Sequence, residues 1–63
     1  MIFKMLKARK EKNLTQKDMA KLLGITQTYY SLIENGKRNP HIKIVAKLQE
    51  ILGKEAIDLE DFK

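Results

Sequence analysis

Gln27 and Thr28 stand together at the start of an apolar-periodic segment, and their side chains suit the edge of a base pair. A glutamine amide makes paired hydrogen bonds to adenine N6 and N7, while a threonine donates, accepts, or rests its methyl group on that of thymine. Beyond the same segment come Asn35, Lys37 and Arg38, whose amide and cationic groups suit phosphate oxygens, as does the Tyr29 hydroxyl. Other chemistries fail on residue type. The chain has no cysteine, which excludes disulfides and thiolate metal sites. Its one histidine, His41, cannot hold a metal alone and reads as an ordinary solvent-exposed side chain. No Ser, Thr or Lys sits in a recognisable nucleophile arrangement, and Gly24, Gly36 and Gly53 do not make a phosphate-cradling loop. Met1, Met5 and Met19 read as core fillers, and the acidic residues near the end lack the spacing of a calcium loop. The expectation is a chain that is not an enzyme and uses no cofactor or metal.

The charge distribution favours a polyanion. Residues 1–47 carry 11 basic and 3 acidic side chains, whereas residues 48–63 carry 2 and 5. A basic body therefore precedes an acidic C-terminal segment, and lysines facing phosphates gain by releasing condensed counterions. The plainer reading is that lysines solubilise exposed helix faces. At 63 residues the whole chain, 1–63, forms one small domain. A chain this short hides only about 60% of the surface its unfolded form exposes, so a partner chain would add useful burial. No apolar run is long enough to span a membrane, and Met1–Lys12 lacks the apolar stretch of a signal peptide. A soluble, cytoplasmic protein is expected.

The elements that position these residues are all helical. Ile2, Met5 and Leu6, extended by Phe3 and Ala8, make a first stripe, and Asn13 ends that helix. Thr15 and Asp18 form a capping box, and Leu14 with Met19 a hydrophobic staple, so a second helix begins there. Its inner face is Met19, Ala20, Leu22 and Leu23, and Gly24 stops it. Thr26 caps a third helix almost at once, with Ile25 and Tyr30 as its staple, Ile33 beside Tyr30, and Asn35-Gly36 in the closing turn. Two short helices joined so tightly must cross steeply, which is helix-turn-helix geometry over about residues 15–35. A run of about nine helical residues spans about 14 Å, enough to reach across a major groove about 12 Å wide. After Pro40, a fourth stripe runs through Ile42, Val45, Leu48 and Leu52, widened by Ile44 and Ile51, and ends at Gly53.

Leu14-Thr15-Gln16, Ala20 through Leu23-Gly24-Ile25, and Ile33-Glu34-Asn35-Gly36-Lys37-Arg38-Asn39-Pro40 resemble the Cro and phage-repressor (XRE-like) type of helix-turn-helix protein. The resemblance covers roughly residues 5–62 and implies an all-α, compact bundle of about five short helices, with the third entering the DNA major groove. It implies further that Gln16 contacts a phosphate, that Leu32 stands where relatives often place a base reader, and that Arg9 and Glu34 form a structural salt bridge. Leu32 cannot hydrogen-bond, so it packs on a thymine methyl or joins a protein contact. Asp58–Phe62 is similar to the family's short closing helix. His41 stands where the family often has a serine cap, and it is a poorer one.

The function expected from these features is a sequence-specific, double-stranded DNA-binding transcriptional regulator, a repressor acting as a homodimer on a palindromic operator. Gln27, Thr28 and Leu32 face bases, while Gln16, Tyr29, Asn35, Lys37 and Arg38 face phosphates. Ile51, Leu52, Leu59 and Phe62 exceed what one short helix needs to cover its own side, and are assigned to the dimer interface. The rival is an antitoxin-like or other protein-interaction module of the same fold. It requires an exposed apolar surface, for which Leu32 or Ile57–Phe62 are the candidates.

Overall fold

In a computed structural model of the chain, which describes residues 2–57 and 62, four α-helices are followed by a single 3-10 turn. They are α1 (Phe3–Glu11), α2 (Gln16–Leu23), α3 (Gln27–Glu34) and α4 (Ile42–Leu52), with the turn at Lys54–Ala56. The closing helix expected over 58–62 lies outside the described residues except for Phe62.

Local chemistry sets each boundary. Asn13 takes a left-handed φ of 58° and ends the α1 region, while the Leu14 N–H returns to the Arg9 carbonyl at 3.1 Å. The capping box is complete at α2: Thr15 Oγ1 accepts from the Asp18 N–H at 3.0 Å, and Asp18 Oδ2 accepts from the Thr15 N–H at 2.9 Å. Gly24, at φ 71°, turns the chain, and Thr26 caps α3 by accepting the Tyr29 N–H at 3.1 Å. At the end of α3 only Gly36 is left-handed. Asn35 stays at φ −83° and instead donates its side-chain amide to the Ser31 carbonyl at 2.9 Å. His41 does cap α4, its Nδ1 accepting the Lys43 N–H at 3.2 Å.

The core collects Ile2, Met5 and Ala8 from the first segment, Met19, Ala20 and Leu23 from α2, and Tyr30 and Ile33 from α3. Val45, Leu48 and Leu52 from α4 and Ile57 beyond it complete the set. Three residues expected in the apolar stripes face outward instead: Phe3, Leu22 and Ile42 are 73, 54 and 68% exposed. Leu22 is about 100° around the helix from Leu23, and Phe3 and Ile42 are the first residues of α1 and α4. Past α4 the chain turns back toward the core. Gly53, at φ 95°, leads into the 3-10 turn, which drops Ile57 onto the core at 4% exposure.

The turn between α2 and α3 depends on the backbone freedom of Gly24. A Cβ there would meet nothing within 4 Å, so any substitution penalty is conformational rather than steric. Gly24→Ala is expected to lose about 1–2 kcal/mol, which a thermal melt reads as a drop of about 4–8 °C per kcal/mol in a domain this small.

Candidate nucleic-acid interface

Where α2 and α3 meet, an open notch of about 350 Å³ is lined by Gln16, Gln27, Thr28, Ser31 and Leu32. Gln27 and Thr28 are exposed at the first turn of α3, whereas Ser31 and Leu32 are half-buried one turn later on the same side. Ser31 was not among the residues singled out from sequence. Its signal is the four-residue spacing from Gln27, which places both on one helical face.

Gln16 comes from the first turn of α2, and its amide is already engaged. Nε2 donates to Glu34 Oε1 at 3.2 Å. The same carboxylate takes Arg9 Nη2 at 3.1 Å on Oε1, and Arg9 Nε at 2.9 Å with the Tyr30 hydroxyl at 2.6 Å on Oε2. Arg9 Nη1 donates to the Leu14 carbonyl at 2.8 Å. Arg9 and Glu34 thus form a bidentate pair joining α1 to α3, with Glu34 only 1% exposed. Burial opposes charge on Glu34, but hydrogen bonds from Arg9, Tyr30 and Gln16 outweigh it and hold the carboxyl below its ordinary range. Burial, reinforced by Glu34, pushes the Tyr30 hydroxyl far above the usual phenol range. The hydrogen bond to Glu34 raises Arg9 in turn. Tyr30 is therefore a neutral donor and Glu34 an anion shielded from solvent.

The remaining expected residues divide by what their side chains touch. Lys37 and Arg38 are exposed, and both of their backbone N–H groups are tied to the Leu32 carbonyl, at 2.9 and 3.2 Å. The Arg38 guanidinium lies 5.3 Å from the centroid of the half-buried Tyr29 ring. Asn35 directs Nδ2 to the carbonyl and the Oγ of Ser31, at 2.9 and 3.3 Å, and so serves the helix end. At the start of α2 the Asp18 carboxylate is held below its usual range by the Thr15 N–H, so this helix terminus already carries an anion of its own. Of the residues assigned to a dimer interface, Leu52 is 6% exposed and packs in the core of its own chain. Ile51 and Phe62 are half-buried against that core, and Leu59 lies outside the described residues. No group of acidic and histidine side chains able to hold a metal, and no helix long and apolar enough to cross a membrane, occurs among the described residues.

Comparison with known proteins places this geometry. A family described as Helix-turn-helix has a model that matches residues 5–59. The "Uncharacterized HTH-type transcriptional regulator YqaF" of Bacillus subtilis (strain 168) is 45% identical over 47 residues, 75% of this chain and 62% of that one. The "ImmF control region 10 kDa protein" of Bacillus phage phi105 is 50% identical over 40 residues, covering 64% of this chain and 44% of that protein. The "Control protein C.MunI" of a Mycoplasma species is 45% identical over 51 residues, 79% of this chain and 69% of its own length. The chain thus spans less than two thirds of the first two relatives. No solved structure gives a significant match to it.

The buried pair yields a stability test. Glu34→Ala leaves the Arg9 guanidinium without its carboxylate and is expected to lose on the order of 3 kcal/mol in urea unfolding. Because the folded-state pKa of Glu34 is depressed, its contribution is fully present above the unfolded value of 4.5 and fades as pH falls through the folded one. Acid should therefore destabilise the wild type more steeply than Glu34→Gln, and parallel pH–stability curves would remove the pair from that role.

Proposed function

Since the chain belongs to the helix-turn-helix family, we propose that it is a double-stranded DNA-binding transcriptional regulator and not an enzyme, with α3 lying in the major groove. The observation that carries this reading is the notch itself. Gln27 and Thr28 are exposed at the start of α3, beside the half-buried Leu32, and the exposed Lys37 and Arg38 follow in the loop after the helix. Gln27 reads a base edge through its amide, Thr28 through hydroxyl or methyl, and Leu32 packs on a thymine methyl. Lys37 and Arg38 face phosphates, which fix register without carrying sequence; Gln16, with one Nε2 proton on Glu34, has its second for a phosphate, and Tyr29 stands beside Arg38. Asn35, expected in the same set, has its amide nitrogen on Ser31 at the end of α3.

The finer reading is a repressor that occupies a palindromic operator as a homodimer. The relatives named for a phage control region and as a control protein support a regulatory role. Ile51 supports pairing: with the exposed Leu22 it lines a shallow groove of about 200 Å³ between α2 and α4, rimmed by Lys47 and Glu50. The protein-interaction alternative loses part of its proposed surface, since Ile57 is buried and Leu32 half-buried.

Selecting bound duplexes from a random pool tests the DNA reading, and failure to enrich any sequence would sink it. On a selected duplex, Lys37→Gln should weaken binding to all sequences alike and lower the log–log salt slope by about one unit. Gln27→Ala should instead relax the preference at one base position of each half-site, at about 1–3 kcal/mol of discrimination. Dimeric binding places the two α3 helices about 34 Å apart. Inserting two or three base pairs at the centre of the palindrome should then abolish tight binding, while an indifferent footprint would mean a monomer. Ile51→Glu should lower operator affinity without changing the preferred half-site.

A further inference from the structure

Tyr29 reads from sequence as a phosphate contact through its hydroxyl, but its ring holds the more informative contact. One side of the half-buried ring packs on the hydrophobic core, and the Arg38 guanidinium lies over it at 5.3 Å from the centroid. Tyr29 is on the first turn of α3, beside Thr28, whereas Arg38 belongs to the loop beyond the far end of that helix. The loop backbone is anchored there, with the Lys37 and Arg38 N–H groups both on the Leu32 carbonyl. From that anchor the arginine side chain reaches the ring of a residue on the first turn of α3, the turn that also carries Gln27 and Thr28. Among the described residues no carboxylate pairs with Arg38.

We infer that Tyr29 is a positioning residue, whose ring places the Arg38 guanidinium for a DNA phosphate beside the reading end of α3. The inference rests on the DNA-binding reading above and assigns Tyr29 a role through its ring face, not its hydroxyl. A salt bridge would hold Arg38 equally well, but it would cancel the positive charge and occupy the N–H edge that binds phosphate. An aromatic face does neither. It attracts the cation through the ring quadrupole and leaves the in-plane N–H donors directed outward. Fixing the long side chain in advance also removes rotamer entropy that would otherwise be lost on binding.

The test is a set of variants titrated with one selected duplex: wild type, Tyr29→Phe, Tyr29→Leu, Arg38→Gln and Tyr29→Leu/Arg38→Gln. Tyr29→Phe keeps the ring and should bind within about twofold of wild type. Tyr29→Leu should weaken binding about two- to fivefold, the worth of an exposed cation–π contact. In the Arg38→Gln background the same Leu substitution should change little, because the group it positions is gone. A folded-state readout accompanies the titration: the Arg38 side-chain protons should show ring-current shifts in wild type and Tyr29→Phe, and lose them in Tyr29→Leu. A loss in Tyr29→Phe equal to that in Tyr29→Leu would overturn the inference in favour of a hydroxyl contact. Equal effects of the Leu substitution in both backgrounds, or absent ring-current shifts, would overturn it as well. If the wild type binds no duplex, the DNA reading falls and takes this inference with it. If it binds while the Phe variant fails, only the inference falls.

Discussion

Glu34 sits on α3 with 1% of its surface exposed, and a lone carboxylate in that position would oppose folding by several kcal/mol. It is tolerated because four donor contacts converge on its two oxygens: two from Arg9, one from Tyr30 and one from Gln16. Those donors come from α1, α2 and α3. The group that must be satisfied therefore also sets how three helices meet, in a chain with no disulfide to do so. Hydrophobic burial supplies most of the driving force but little direction. The carboxylate supplies direction, because bidentate pairing with a guanidinium tolerates only a narrow range of angles.

The same arrangement settles an electrostatic conflict. The segment of residues 1–47 carries 11 basic and 3 acidic side chains, and one of the three acids lies on the helix proposed to face DNA. Turned outward, Glu34 would repel phosphate. Turned inward, it is neutralised by Arg9, and the start of α3 is left to Gln27 and Thr28. Gln16 links the two sides, with its amide nitrogen on Glu34 and its side chain lining the notch. Because a carboxylate only accepts, the pairing also fixes which end of that amide faces inward.

Much of this was legible in the residues, for reasons that differ by element. The start of α2 could be placed because Thr15 and Asp18 encode a reciprocal pair of bonds within four residues, and Gly24 because no other residue turns left-handed so freely. Burial was less legible at helix edges. Leu22 and Ile42 fit an apolar period yet face solvent, because the period says which residues share a face and not how far a neighbour extends over it. The Asn35 contacts to Ser31 and the Gln16 contact to Glu34 were not legible. They depend on side-chain rotamers, and the second also depends on two helices 18 residues apart in sequence. Leu52 reads as surplus apolar surface until Ile57 and the 3-10 turn are placed beside it.

The Arg9–Glu34 pair spans 25 residues of sequence, and the Ile2 N–H reaches farther still to bond the Glu34 carbonyl at 2.8 Å. Consider the chain as it leaves the ribosome. Arg9 and the whole of α1 emerge well before the carboxylate that completes them, so no early segment holds a finished core or a satisfied charge. Isolated helices of eight or nine residues are marginal in water, and none of these has local contacts enough to persist alone. The core is complete only after α3 closes the long loop back to α1 and α4 adds Val45, Leu48 and Leu52. For the cell this means that a ribosome stalled before Glu34 holds α1 and α2 as a basic stretch without the carboxylate that joins them to α3.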